Sequence, residues 1–547
     1  MEPMNTEGIG FQNKWYSADL TEFKNATVMP VPSAFNDVTA SAEVRDHVGW
    51  VWYQRSFYGS QRDWNLRQFL RFSSVNYYAK IFLNGKEIGS HIGGHLPFEY
   101  EVTNTVVHNT KNLLTVAVNN TLSSSTIPPG TFQYVTRRNE FYNTSDGYIR
   151  QMPNFDFFNY AGILRSVYLL KKPSYYIEDV RIQAEKNGMF YYSVISDPPD
   201  MDTSFLVIIK DDMEINVFTS TNQSGAGILK DVKPWWPRGM GDPTLYLLEV
   251  YLMKDEQVVD VYRLKFGFRT ISYSSDQLFI NGRAFYCHGF GMHEDFELHG
   301  RGYDPVVMTK DLNMLEWMNG NCYRTSHYPY SEERAMEADR RGIAVITETP
   351  AVGIAVFTEK NRKLHELMIK EMIARDRNHP SVIMWSLANE PKTDLPAAQP
   401  YFESLVNVAK SLDASRPITT VYSTLYDRDK TEPSRPFSEQ YQFEVIESCH
   451  QVFDILREVH YLAGEMIWNF ADFMTGQDIT RPLGNHKGVL TRTRQPKMAA
   501  YLLRKRYEKL TKEALTASEP AEVYSLWSSS GSLLPLLQVE QQRYRQQ

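Results

Sequence analysis

Alternating apolar and polar positions fill the first 270 residues of the chain. "GWVWYQRSF" (49–57), "YYAKIFLNG" (77–85) and "NLLTVAVNN" (112–120) each put their apolar side chains on one face of an extended strand. Turn-rich pieces such as "NGKEIGSHIGG" and "TIPPG" separate them. This rhythm predicts a β-sandwich over residues 1–172. A second series, "FLVIIK", "TLYLLEVYL" and "VDVYRLKFGFRTI", predicts another sandwich of immunoglobulin size over 173–271.

From Ser272 the pattern becomes strand-like runs alternating with helical ones. "AFYCHGFGMH", "NCYRTSHYP", "GIAVITETP", "VIMWSLANEP", "PITTVYS" and "GEMIWNFADF" supply the strands. Between two of them, Leu364, Leu367, Met368 and Met372 fall at helical spacing. The alternation predicts a parallel βα barrel over 272–510. Residues 511–547, ending in "LLPLLQVEQQRYRQQ", read as a disordered tail.

The 547 residues exceed what one core accommodates, in keeping with three units. A net charge of -7 without any basic block argues against a nucleic-acid partner. Cys287, Cys322 and Cys449 lie far apart without C-x-x-C spacing, so all three read as free structural thiols. Sequons at Asn25, Asn119, Asn143 and Asn222 could carry glycans on a secretory route. The first residues lack the charged-then-apolar pattern of an export signal, and no run of 18 apolar residues occurs; neither a signal nor a membrane partner is expected.

In βα barrels the reactive groups gather at the carboxyl ends of the strands, where His327, Glu348 and Glu390 fall. Glu390, between Asn389 and Pro391 after a buried run, reads as a presented acid in need of a partner.

"GWVWYQRSF", "NFDFFNYAGILR", "RTSHYPYSEE", "RDRNHPSVIMWSLANEP" and "GEMIWNFADFMT" together resemble the β-glucuronidases, in the β-galactosidase-like family 2 of retaining glycoside hydrolases. The likeness runs from about Phe11 to Tyr507, and "LGNHKGVLTRTRQPK" points to the glucuronidase branch. It implies a jelly-roll sugar-binding-type domain, an immunoglobulin-like sandwich and a TIM-type barrel. It also implies hydrolysis of terminal β-D-glucuronosides, as in glycosaminoglycan fragments, with no metal or organic cofactor, by a lysosomal homotetrameric glycoprotein. Carried over, Glu390 is the acid/base and Asn389 binds the sugar 2-hydroxyl. Asp156 and His327 line the sugar pocket, and Trp468 offers a platform under the ring. Asn485 and Lys487 bind the carboxylate that distinguishes a glucuronide from a glucoside.

Retention needs a second carboxylate about 5 Å from the first, as nucleophile. The family carries it in a motif resembling "SEYG" on the seventh barrel strand, after a sixth strand bearing a pocket Tyr. Neither segment occurs here. Only 40 residues separate Ser423 from Gly464, whereas two βα units need roughly 60. Within that interval Phe443, Ile446, His450, Phe453 and Leu456 read as one helix. The barrel is therefore expected to lack strands six and seven, leaving strands five and eight as exposed edges.

No other acid is expected to substitute. Glu439, Glu444 and Glu447 read as solvated helix positions and Glu465 sits at the wrong end of its strand; Glu348 is better placed, but the resemblance implies that positions beside it serve pocket structure rather than attack. From the resemblance, the chain is also expected to begin after the point where the family has its signal and first strand. The chain is expected to be a weakly active or inactive form of a glucuronidase lineage: a truncated or alternatively spliced product, or the product of a faulty gene model. Its rivals are a non-catalytic carbohydrate binder or subunit-pairing variant, and a fragment that does not fold.

Overall fold

In the computed structural model, which describes residues 1–2, 8–24, 26–135, 148–200, 202–422, 438–476 and 481–516, the alternating N-terminal runs form antiparallel sheets. Trp50–Tyr58, Lys111–Asn119, Tyr78–Leu83 and Lys86–Ile92 lie side by side in that order. A second sheet of Val167–Lys172, Arg67–Phe72 and Phe98–Glu101 faces it. Leu70, Phe72, Ile81, Val116 and Val118 close the core between them. The region 176–266 repeats this plan, with Phe190, Val207, Leu248 and Val250 between a three-stranded and a four-stranded sheet.

The C-terminal region is a curled parallel sheet with helices outside. Its strands are β1 (Cys287–Gly291), β2 (Cys322–Arg324), β3 (Ala344–Glu348), β4 (Val382–Asn389), β5 (Ile418–Val421) and β6 (Gly464–Ile467). They are ordered β5-β4-β3-β2-β1-β6. Among the described residues β5 and β6 do not pair, and no strand lies between them in sequence. Part of that interval, 423–437, is outside the described residues. An eight-stranded barrel closes because tilt and shear match its strand number; this sheet stays open, with β6 where an eighth strand would stand.

Helices α1 (Pro305–Trp317), α2 (Glu332–Arg341), α3 (Glu359–Asp376) and α4 (Ala398–Leu412) follow the first four strands. Within α3, Met368 and Met372 are buried with Ile369 and Ile373, whereas Leu367 points to solvent. Helix α5 (Glu439–Glu458) occupies the predicted interval, burying Ile446 and His450. Helix α6 (Met498–Thr516) runs beside it. The boundary expected at 510 is too early: Thr511 Oγ1 lies 3.3 Å from His288 Nε2, and Glu513 pairs with Arg457 at 2.9 Å, so α6 continues through 516. The remaining tail, 517–547, lies outside the described residues. No described helix is long and apolar enough to cross a membrane.

The expectation of three free thiols is wrong. Cys287 and Cys322 open the neighbouring strands β1 and β2, with Cα atoms 5.8 Å apart and their sulfurs bonded. Parallel pairing brings together residues 35 apart in sequence, which spacing alone does not reveal. A bridge over a loop of this length stabilises by about 3 to 4 kcal/mol. Thiol titration of unfolded, unreduced protein is expected to find one free cysteine, Cys449, and after reduction all three.

A candidate active site at the mouth of the sheet

Glu390 stands just past β4 and is exposed. Its φ of 48° is left-handed, a conformation costing about 1 kcal/mol or more for a residue with a Cβ. Neighbouring backbone holds it there. Its N–H donates to Val421 O at 2.8 Å, Asn389 N–H donates to Ala351 O at 2.9 Å, and Gly353 N–H donates to Asn389 O at 2.9 Å. Strand β5 and the loop after β3 thereby fix the Asn389-Glu390 pair from both sides.

Beside it lies a buried polar cluster. Glu348, at the end of β3 and fully buried, accepts from Arg324 Nη1 at 2.7 Å, Ser386 Oγ at 2.7 Å and His327 Nδ1 at 2.9 Å. The same Arg324 Nη1 donates to Asn389 Oδ1 at 3.3 Å. Burial pushes the Glu348 carboxyl up, but the Arg324 charge and the His327 and Ser386 hydrogen bonds outweigh it and hold the group at about 2. Burial lowers His327 despite its bond to Glu348. Glu348 is therefore a committed structural anion, not a spare nucleophile.

Because Glu348 is depressed, it contributes stability that is present above the ordinary glutamate range, near pH 4.3. That contribution is lost as pH falls from there through about 2. Melting curves of wild type and Glu348→Gln are expected to differ most above pH 5 and to converge across this window.

Trp468 follows β6 and is half-buried. Its ring stacks on His327 with centroids 5.0 Å apart and planes 18° apart, and meets His293 and Phe473 edge-on. His327 thus occupies one indole face, so a sugar has only the opposite face. A Cβ on Gly291 would come within 2.6 Å of this indole, which is why glycine ends β1.

Asp156 belongs to a different group. It reaches across from the N-terminal sandwich to the loop after β6, where its Oδ2 accepts from Arg481 Nη2 at 2.7 Å and from Asn485 Nδ2 at 2.9 Å. Asn485 is buried, and its Oδ1 accepts from Lys487 N–H at 2.9 Å. The Lys487 ammonium is exposed, with no ion-pair partner among the described residues. His486 lies 3.4 Å from Asp472 Oδ2 and 3.1 Å from Pro482 O.

The other described acids weighed for the role are engaged or remote from the strand ends. Glu465 is buried against Arg506 at 2.7 Å, and Glu439 accepts from the first amide of α6, Met498 N–H, at 3.0 Å. Glu447 is a solvated position on α5. Sequence reading passed over Arg324, Ser386 and Arg481. Arg324 carried a signal, being a charge at the end of an otherwise apolar strand.

Models of glycosyl hydrolases family 2 match the chain in three stretches. The sugar binding domain covers 3–173, a second family 2 domain 176–269, and the TIM barrel domain 271–433 and 429–512. The β-glucuronidase of Rattus norvegicus is 38% identical over 576 residues, covering 92% of this chain and 88% of the relative. That of Homo sapiens is 37% identical over 580 residues with the same coverage. Among solved structures, the β-D-glucuronidase of Dictyoglomus thermophilum superposes with a TM-score of 0.82 at 37% identity, over 89% of this chain and 95% of that one. The Ruminococcus gnavus β-glucuronidase in complex with D-glucuronic acid gives 0.82 at 32% identity, over 92% and 95%.

Proposed function

The chain belongs to glycosyl hydrolase family 2, in its β-glucuronidase branch, and from that premise we propose that it recognises terminal β-D-glucuronosides with Glu390 as acid/base but without a nucleophile. In a retaining hydrolysis the acid protonates the departing oxygen while a second carboxylate bonds to the anomeric carbon, and water later displaces that carboxylate. Glu390, at the end of β4 beside Asn389, suits the first role. The observation that carries the proposal is the passage of the sheet from β5 to β6 with no intervening strand among the described residues.

Two comparisons support the same reading. The TIM barrel model is matched in two pieces that meet at 429–433. The alignment with the rat relative spans 576 positions yet takes up only 92% of this 547-residue chain; many positions of the relative therefore have no counterpart here. Activity of this chain is weak or absent on this account.

The sugar contacts expected of Asp156, His327, Asn389, Trp468, Asn485 and Lys487 do not depend on a nucleophile, which favours a second reading as a non-catalytic binder of glucuronate ends, such as those of glycosaminoglycan fragments, or a partner for intact subunits in a tetramer. A lysosomal or secretory setting fits the Cys287–Cys322 bridge, which needs an oxidising compartment to form. The sequon at Asn222, in an exposed turn, suits a glycoprotein.

Calorimetric titration with D-glucuronate tests recognition. Binding is expected in wild type, weakened about 10- to 100-fold in Lys487→Ala, because a charge-assisted hydrogen bond contributes about 1.5 to 3 kcal/mol. Equal affinity for glucose and glucuronate would contradict the proposal.

A further inference from the structure

We infer that Glu348 is the positioning residue that sets the donor and acceptor polarity of the pocket floor. Its Oε1 lies 2.9 Å from His327 Nδ1. A carboxylate only accepts, so the imidazole proton sits on Nδ1 and the Nε2 lone pair is left for a ligand. Its Oε2 accepts from Arg324 Nη1 and from Ser386 Oγ, both at 2.7 Å. Arg324 in turn donates to an oxygen of the Asn389 carboxamide at 3.3 Å. A guanidinium has no acceptor, so this contact fixes the amide orientation and turns Asn389 Nδ2 away from it as a donor.

Neither His327 Nε2 nor Asn389 Nδ2 has a protein partner among the described residues. Neither is sealed off, unlike His293 Nε2 and Asn469 Nδ2, which are buried and unpaired. One buried carboxylate therefore makes His327 an acceptor and, through Arg324, Asn389 a donor. The ligand chemistry that satisfies both is a polyol, with one hydroxyl donating to the imidazole and another oxygen accepting from the amide. The sugar part of this statement rests on the function proposed above; the polarity itself does not.

Long-range nitrogen-proton NMR on histidine-labelled full-length protein reads the tautomer without ligand, with His327 assigned by its loss in His327→Gln. Wild type is expected to show a neutral ring protonated at Nδ1 at pH 7.5. Ser386→Ala, which leaves the carboxylate in place, is expected to keep it. Glu348→Gln is expected to populate the Nε2-protonated form and to weaken D-glucuronate binding about 10-fold. A wild-type ring protonated at Nε2, or an imidazolium, overturns the inference. So does a folded Glu348→Gln with unchanged tautomer and affinity. A wild-type protein with the expected tautomer and no glucuronate binding sinks the substrate reading while upholding the role of Glu348.

Discussion

Purified protein given a chromogenic β-glucuronide is expected to release the chromophore at least about 10⁴-fold more slowly than an intact β-glucuronidase, and Glu390→Ala is expected to alter that rate less than about twofold. The first figure follows from the size of nucleophile deletions in enzymes that work through covalent intermediates. The second follows from their non-additivity, since an acid that assists departure contributes little when nothing attacks the anomeric carbon. Among the described residues, the acids at the strand ends are spoken for. Glu348 is held by Arg324, His327 and Ser386, and Glu465 by Arg506. Robust turnover abolished by Glu390→Ala would mean that another carboxylate reaches the sugar, and would defeat the account.

Asp311→Ala is expected to destabilise the protein by about 3 to 5 kcal/mol, seen as a fall in melting temperature of roughly 10 °C. Asp311 is fully buried on α1 and accepts from Arg334 Nη2 at 2.9 Å and Arg494 Nε at 2.8 Å. Its removal leaves two buried guanidinium groups short of their counter-ion. The same network extends through Glu294, which accepts from Ser331 N–H at 3.0 Å and from Arg165 of the N-terminal sandwich at 2.9 Å. These bonds tie together the loops after β1, β2 and β6. They explain how one wall of the mouth keeps its shape while the sheet remains open on the other side. A loss below about 1 kcal/mol would show that the network is not what supports that wall.

Much of this was legible in the sequence because it depends on short-range periodicity. Two-residue alternation marked the sandwich strands, and the change to strand-helix alternation after Ser272 marked the parallel sheet. The three- and four-residue spacing from Phe443 to Leu456 marked α5, and the 40-residue interval revealed that two strands do not fit. What escaped was set by tertiary pairing. Cys287 meets Cys322 only because β1 and β2 are neighbours. Asp156 meets Asn485 across 329 positions and two domains. Arg324 and Ser386 gained meaning only once Glu348 was seen between them. The start of the tail at 511 fell inside α6 because the last turns of that helix are secured by His288 and Arg457, which lie outside it.

On the proposed function the pocket keeps its acid and its sugar contacts, while no carboxylate among the described residues is free to bond to the anomeric carbon. A 2-deoxy-2-fluoro glucuronide with a good leaving group traps the glycosyl-enzyme of a retaining glycosidase, because the fluorine slows both oxocarbenium-like steps while the good leaving group restores only the first. Intact-protein mass spectrometry after prolonged exposure is predicted to show the unmodified mass of this chain, while an intact β-glucuronidase in the same experiment gains one 2-deoxy-2-fluoroglucuronyl unit. A stoichiometric adduct on this chain, mapped to any Asp or Glu, would contradict the account.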